Sequence, residues 1–225
     1  MTTHDHEHEH GDHDHDHDHD HADAHAPRKD HDAAPMGAHE VLEEAMRLLL
    51  IEKSILTQAE INTQIDLLDS RTPALGAKVI ARAWTDPAYK ARLVKDTRAA
   101  LLELGVDIGA VAEFAVVENT AKVHNLVTCT LCSCYPKLLL GVPPAWYKSS
   151  AYRSRSVSDP RGVLHEFGLD VATSTEVRVH DSTADLRYVV IPARPKGTEA
   201  WDETKLASIV TRDCMIGTAV PKVAG

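Results

Sequence analysis

The sequence predicts an α+β protein in which an N-terminal helical arm is followed by a mixed α/β layered domain. Apolar side chains recur at helical spacing through the first hundred residues. Beyond about residue 107, short β-branched runs bounded by polar residues replace that pattern. A low-complexity segment precedes both parts. We therefore expect a disordered His/Asp-rich tail over residues 1–35, a helical arm over 36–106 and an α+β domain over 107–225.

The arm is predicted to contain four helices. Thr57 reads as an N-cap, because Glu60 follows it at the spacing of a capping box. Pro73 and Pro87 suit the first turn of a helix, where a missing N–H costs nothing. The predicted helices are Ala38–Lys53, Thr57–Asp69, Ala74–Trp84 and a fourth from Asp86 to Gly105.

The remainder of the chain is predicted to combine one sheet with a few helices. The predicted strands are Phe114–Val117, Val123–Val127, Glu176–Val179 and Leu186–Ile191. Two helices are predicted over Asp159–Phe167, ending at Gly168, and over Asp202–Arg212.

Charge and hydropathy exclude several classes of protein. The 225 residues carry a formal net charge of −10, and the tail alone carries −9 of it. The nearly neutral remainder has no basic footprint for nucleic acid. No apolar run reaches the length of about 20 residues that spans a bilayer, and the N-terminus has no apolar signal segment. We therefore expect a cytoplasmic protein that binds neither nucleic acid nor membrane.

Three of the four cysteines lie within six residues, in the segment Cys129-Thr-Leu-Cys132-Ser133-Cys134. Three thiolates so close together can bind one metal ion. A tetrahedral zinc site would need a fourth ligand, and Cys214 is the one cysteine left to supply it. A structural zinc site of that kind usually pairs two separated Cys-x-x-Cys motifs, and only one is present.

The main chain offers a second way to complete the ligand set. If the amide nitrogens of Ser133 and Cys134 lose their protons, they form chelate rings with the sulfurs of Cys132 and Cys134. Cys129 can then bind from an axial direction, which leaves a sixth position open. Two amidates and three thiolates carry about five negative charges, which favours a trivalent ion with soft ligands.

The cysteine segment, followed by Tyr135-Pro136, resembles the metal-binding loop of the α subunit of nitrile hydratase. The resemblance extends over residues 38–223. The other matching segments are Ala83–Lys90, Val117–Thr120, Lys122–Asn125, Pro143–Lys148, Tyr152–Arg155, Asp159–Arg161, Glu166–Gly168, Asp181–Ser182, Leu186–Tyr188 and Thr211–Asp213.

This resemblance implies a metal, a modification and partners. In that family, Thr at the position of Thr130 accompanies non-corrin Co(III), whereas Ser accompanies Fe(III). Cys132 is expected as a sulfinate and Cys134 as a sulfenate. A β subunit is expected to complete the site with arginines in an α2β2 assembly, and an activator protein is expected to insert cobalt. The chain alone would be inactive.

The implied reaction is hydration of a small nitrile to an amide. A trivalent ion polarises the C≡N bond of a bound nitrile. The nucleophile is either water activated by the metal or the sulfenate oxygen of Cys134, and the sequence does not choose between them.

Lys137 departs from the commonest pattern of that family, which has Trp three residues after the last loop cysteine. The γ subunit of thiocyanate hydrolase, which shares the loop, has a basic residue there and a Cys at the position of Cys214. Thiocyanate is therefore the second candidate substrate. A third hypothesis, from a different class, is a non-catalytic metal-binding carrier protein. Histidines in the positions of His124, His165 and His180 are more often surface or core residues than metal ligands. Asp181 and Arg187 lie on or beside predicted strands, where they could support the metal site or form an ordinary surface ion pair equally well.

The tail has three interpretations: a solvated extension, an expression tag, or an arm that gathers divalent metal. Eleven of the 15 histidines lie between His4 and His31, mostly alternating with acidic residues. Tags are usually uninterrupted histidines, so the alternation favours natural sequence. Neutral imidazoles bind Co(II), Ni(II) and Zn(II).

For metal gathering, we predict that deleting residues 2–32 lowers cobalt loading when cobalt is limiting, because the histidines raise the local cobalt concentration. Turnover per bound cobalt should not change. Cobalt content and activity of the two chains expressed at low cobalt check this prediction. Equal loading with and without the tail would contradict it.

Overall fold

The computed structural model describes residues 37–109, 112–132 and 134–223. The predicted tail and Ser133 therefore lie outside the described residues. Helices α1 (Ala38–Glu52) and α2 (Gln58–Asp69) confirm the first two predicted helices. The capping box is present: the Glu60 amide donates to Thr57 Oγ1 at 3.2 Å, and the Thr57 amide donates to the Glu60 carboxylate at 2.8 Å. Neither helix contains a buried residue.

The fourth predicted helix is two helices in the structure. After α3 (Pro73–Thr85), the chain forms α4 (Pro87–Lys95) and α5 (Thr97–Glu103). The break is at Asp96, whose carboxylate accepts a hydrogen bond from the Ala99 amide at 3.0 Å. An aspartate at this position caps the next helix more favourably than it continues the previous one.

The four predicted strands are present, but they form two sheets where one was expected. They are β1 (Glu113–Glu118), β2 (Val123–Thr128), β3 (Glu176–Asp181) and β4 (Leu186–Ile191). Strand β1 pairs with β4 and β2 pairs with β3, both in parallel. Parallel neighbours need a long crossover connection, and the segment between β2 and β3 supplies one.

That crossover contains three helices that the sequence analysis missed and one that it predicted. The missed helices are α6 (Lys137–Leu140), α7 (Ala145–Lys148) and α8 (Ser150–Ser158). Helix α9 (Pro160–Glu166) confirms the helix predicted over Asp159–Phe167. Helix α10 (Glu203–Ser208) confirms the last predicted helix but ends before Arg212, where the prediction ended. A further helix, α11 (Arg212–Ile216), was not predicted; the Thr211 hydroxyl accepts a hydrogen bond from the Cys214 amide and so caps it.

The core draws on both parts of the chain. Helix α3 contacts α6, α10 and α11, and its buried side chain Ile80 belongs to the same apolar cluster as Val190 and Ile216. The mixed α/β character is therefore as predicted, while the layered arrangement and the boundary near residue 107 stay predictions. Among the described residues, no helix combines the length and the apolar character needed to cross a membrane.

A buried polar network joins β2 to its neighbours. The His124 ring donates to the Gly217 carbonyl at 2.7 Å, and the His180 ring donates to the Asn125 side chain at 2.8 Å. Gly217 has φ +92°, and a Cβ there would meet the Asn125 carbonyl, so only glycine allows this approach. Burial lowers the pKa of both histidines from 6.5.

We predict that the free energy of unfolding falls as the pH decreases from 7 to 5. The unfolded chain takes up protons on these histidines near pH 6.5, whereas the folded chain takes them up only at lower pH. His124→Gln should lower stability at pH 7 but reduce the loss between pH 7 and pH 5. Urea unfolding at both pH values measures this loss. The control is His165→Gln, because His165 is exposed and Asp170 raises its pKa. A loss of unchanged size in His124→Gln would contradict the prediction.

Candidate metal centre

The cysteine loop begins where β2 ends, and it brings three sulfurs together. The Sγ atoms of Cys129, Cys132 and Cys134 all lie within 4.8 Å of one another. Cys129 Sγ is 3.4 Å from Cys132 Sγ, which is 2.9 Å from Cys134 Sγ. Within the described part of the chain, this is the one group of three or more His, Cys, Asp or Glu side chains that could hold a metal ion.

Two of the three sulfur separations, 3.4 and 2.9 Å, are closer to the spacing of adjacent octahedral positions than to that of tetrahedral corners. With metal–sulfur bonds of about 2.3 Å, adjacent sulfurs are about 3.3 Å apart in an octahedral site and about 3.8 Å apart in a tetrahedral one. Cys214 is not part of the group; its sulfur lies 3.1 Å from the Thr211 hydroxyl in a buried position. A zinc site completed by Cys214 is therefore not favoured.

Strand pairing places an aspartate beside the loop. Thr128, the last residue of β2, pairs with Asp181, the last residue of β3. Asp181 accepts two hydrogen bonds from Thr130, one from its amide at 2.9 Å and one from its hydroxyl at 2.6 Å. Because both strands are parallel and end at one edge, the register aligns this carboxylate with the first turn of the loop.

Two further side chains hold the loop, and the sequence analysis missed both. The Tyr147 hydroxyl donates to the Cys134 carbonyl at 2.8 Å, and Arg153 Nη1 donates to the Cys132 carbonyl at 2.9 Å. They come from α7 and α8, which the sequence analysis did not predict. The one sequence signal for Tyr147 and Arg153 was that both lie in segments that resemble nitrile hydratase. That resemblance does not indicate which residues they contact.

The environment of the loop disfavours a free thiolate at Cys134. Burial raises the pKa of this thiol, and its hydrogen bond with Cys132 raises the pKa further, while the Arg187 guanidinium opposes both effects. A metal ion must displace the thiol protons in order to bind. The raised pKa of Cys134 therefore opposes metal binding, and the bound ion must compensate for it.

A cavity of about 370 Å³ opens beside the loop. The Tyr135 hydroxyl and Arg187 Nη1 are buried without a hydrogen-bond partner among the described residues. Buried polar atoms of this kind need a hydrogen-bond partner, such as an ordered water or a bound ligand, that the described residues do not supply. The residues that line the cavity are Cys132, Cys134, Tyr135, Lys137, Pro143, Lys148 and Arg187.

The structure thus brings together three of the four predicted metal ligands, and the fourth, Ser133, lies outside the described residues. Asp181 and Arg187 lie at the loop and at the cavity. His124 and His180 belong to the buried network, and His165 pairs with Asp170 on the surface. None of these three histidines belongs to the sulfur group.

Comparison with known families agrees with this geometry. The family model for the nitrile hydratase α chain matches residues 37–219. The chain belongs to the nitrile hydratase α-chain family. The matched region includes the arm, the loop and both sheets, and excludes the tail.

Members of the family include cobalt and iron proteins. The chain is 49% identical to the α subunit of a low-molecular-weight cobalt-containing nitrile hydratase from Rhodococcus rhodochrous, over 79% of this chain and 86% of that one. It is 42% identical to the γ subunit of thiocyanate hydrolase from Thiobacillus thioparus, over 81% of this chain and 80% of that one. Among solved structures, a double mutant of the Fe-type nitrile hydratase from Comamonas testosteroni Ni1 superimposes with a TM-score of 0.75 at 42% identity, covering 81% of this chain and 90% of that chain.

We predict that Asp181→Ala weakens cobalt binding about 10- to 100-fold, as loss of a side chain that orients a ligand typically does. The variant frees the Thr130 amide and hydroxyl and so loosens the loop next to Cys129. Cobalt retained after dialysis against a graded series of chelator concentrations measures the effect. Asp170→Ala, which removes an exposed carboxylate that pairs with His165, is the control. Equal retention in both variants would refute the role of Asp181.

Proposed function

We propose that this chain is the α subunit of a cobalt-dependent nitrile hydratase that converts small nitriles to amides. The observation that carries the proposal is the set of three cysteine sulfurs, 3.4 and 2.9 Å apart in sequence order, beside an open cavity. Membership of the nitrile hydratase α-chain family supports the same activity.

The proposed ligands are the sulfurs of Cys129, Cys132 and Cys134 with the main-chain nitrogens of Ser133 and Cys134. Three thiolates and two amidates suit low-spin Co(III), and Thr130 favours cobalt over iron through the family resemblance. We include in the proposal the four-electron oxidation of the Cys132 thiolate to the sulfinate and the two-electron oxidation of the Cys134 thiolate to the sulfenate, with dioxygen as the oxidant. When bound, such an ion acts as a Lewis acid that polarises the nitrile and activates the nucleophile.

The residues of this chain bind and orient the substrate. Pro143 and the ring of Tyr135 give the cavity apolar walls, which suit the carbon chain of a small nitrile. Tyr135 and Arg187 line the cavity, and their unpartnered hydroxyl and Nη1 are the donors that we assign to the substrate nitrogen or to an oxidised cysteine oxygen. Tyr147 keeps the loop against these groups through its bond to Cys134.

The helical arm supports the proposed β partner. Helices α1 and α2 enclose an apolar groove of about 440 Å³ and expose large side chains that a stable monomer would bury. We propose that the β subunit covers this surface in an α2β2 assembly, and that a separate activator inserts cobalt. A cytoplasmic location stays a prediction. The most exposed of the apolar side chains on α1 are Val41, Leu42, Met46 and Leu48.

One observation favours thiocyanate as a second candidate substrate. Three cationic side chains line the cavity with the two cysteines: Lys137, Lys148 and Arg187. Their positive field attracts an anion more than a neutral nitrile. A relative with 42% identity is the γ subunit of an enzyme named thiocyanate hydrolase.

We predict that the chain, co-expressed with its β subunit and activator in cobalt medium, hydrates propionitrile faster than it hydrolyses thiocyanate. Amide formation and thiocyanate loss, each per bound cobalt, measure the two activities. Lys137→Met should weaken thiocyanate binding by up to about fivefold, since a charge contact at an exposed side chain is worth at most about 1 kcal/mol, and should leave propionitrile binding close to that of the parent. The control is Lys90→Met, because Lys90 pairs with Glu118 and does not line the cavity; this change should leave the binding of both substrates unaltered.

Three results would decide between the proposals. Thiocyanate hydrolysis without amide formation would reassign the chain to the second candidate. Absence of both activities, with cobalt released by EDTA, would indicate the carrier protein. Co(III) bound through thiolates should instead resist EDTA and show sulfur-to-metal charge transfer.

A further inference from the structure

The guanidinium of Arg153 donates a hydrogen bond to the cysteine loop, at the peptide group between Cys132 and Ser133. Arg153 Nη1 lies 2.9 Å from the Cys132 carbonyl oxygen. The side chain is half-buried, and its Nε is buried without a hydrogen-bond partner among the described residues. Burying part of a guanidinium costs hydration free energy, and one hydrogen bond to a neutral carbonyl offsets only a small part of that cost. This geometry therefore calls for an explanation.

The carbonyl oxygen of Cys132 belongs to the same peptide group as the nitrogen of Ser133. Peptide resonance spreads charge over the nitrogen, carbon and oxygen of that group. If the Ser133 nitrogen binds the metal without its proton, part of the negative charge therefore lies on the Cys132 oxygen. A hydrogen bond from a guanidinium to a charged oxygen is about twice as strong as one between neutral groups.

The neighbouring contact gives an internal comparison. The Cys134 carbonyl belongs to the peptide group whose nitrogen is that of Tyr135, which is not a proposed ligand. The donor to this carbonyl is the Tyr147 hydroxyl, which is neutral, buried and 2.8 Å away. The cationic donor thus lies on the peptide group that would become charged, and the neutral donor lies on a peptide group that would stay neutral.

The helix that carries Arg153 is fixed against the strand before the loop. The Tyr152 hydroxyl donates to the Val127 carbonyl at 2.7 Å, and the Ser156 hydroxyl donates to the Thr128 hydroxyl at 2.9 Å. These contacts are on either side of Arg153 in α8. The backbone that carries Arg153 is therefore fixed against the strand, and the bond to the Cys132 carbonyl orients the guanidinium, which reduces the cost of ordering it.

We propose that Arg153 is a positioning residue that stabilises the metal-bound, deprotonated Ser133 peptide by placing a positive charge on its Cys132 oxygen. This inference rests on the proposed function, in which five anionic ligand groups surround a trivalent ion. That arrangement leaves about two negative charges uncompensated, and cations at the loop lower their energy. Arg153 needs no contact with the substrate to act in this way.

The experiment compares a charged and a neutral replacement in the full chain, co-expressed with its β subunit and activator. Arg153→Lys keeps the charge, and Arg153→Gln keeps an N–H donor without charge. Arg155→Gln, two residues along α8, is the matched control, because Arg155 pairs with Glu166 on the surface. The readouts are the rate of cobalt loss into EDTA and the energy of the sulfur-to-cobalt charge-transfer band.

We expect Arg153→Gln to lose cobalt about tenfold faster than the parent or more, with a shifted charge-transfer band. Arg153→Lys should remain close to the parent in both readouts, and Arg155→Gln should match it. A purely structural hydrogen bond would make Lys and Gln equivalent, so equal behaviour of the two variants would overturn the proposal. Retention of cobalt by Arg153→Gln at the parent rate would overturn it as well.

Two checks separate this proposal from other failures. Circular dichroism of the metal-free chains establishes that each variant is folded; if Arg153→Gln is not, a shifted band in Arg153→Lys overturns the proposal and a parental band supports it. A parent that holds no EDTA-resistant cobalt refutes the proposed function and this inference together. A parent that holds such cobalt but hydrates no nitrile refutes the function alone, and the comparison of the variants still decides the role of Arg153.

Discussion

Hydrogen bonds to one short turn after β2 are the constraint on which the site depends. The three thiols lie within 4.8 Å of one another, and the proposed metal site requires all three to face one ion. Asp181 holds the turn at Thr130, Arg153 holds it at Cys132 and Tyr147 holds it at Cys134. Because each contact uses a different side chain from a different element, the loop geometry is over-determined without any contribution from the metal.

The parallel arrangement of the strands explains how these elements converge. β2 and β3 end at the same edge, so the last residue of β3 meets the start of the loop. The crossover between them must return over the sheet, and this brings α7 and α8 against the loop. The aromatic rings of Trp146, Tyr147 and Tyr152 pack edge-to-face or tilted there, with centroids 4.8 to 5.9 Å apart, and give the crossover its own apolar support.

The proposed metal ligands and the side chains around them carry charges of opposite sign. The proposed ligands are anionic, and the residues around them are mainly cationic: Arg153 at the loop and Lys137, Lys148 and Arg187 at the cavity. Of these cations, Arg187 opposes the raised pKa of the buried Cys134 thiol. The same positive charges favour an anionic substrate, whereas the apolar walls favour a neutral one. For this reason, thiocyanate and a small nitrile are both candidate substrates.

The sequence alone determined the local features of the fold and the chemistry of the loop. Helix caps at Thr57 and Asp159, the four strands and the three-cysteine segment all depend on side chains a few residues apart, and such short-range effects can be read directly. The helix break at Asp96 was missed although its signal is local, because an apolar pattern on both sides suggested continuity.

Only the tertiary structure decided which residues surround the loop. The short helices α6 and α7 have too few residues to show a period, and α8 is rich in Ser and Arg, so packing rather than propensity stabilises them. The division of the strands into two parallel pairs, and hence the contact between Thr130 and Asp181, depends on register across 51 residues. The roles of Arg153 and Tyr147 follow from the same long-range geometry, which no pattern of neighbouring residues encodes.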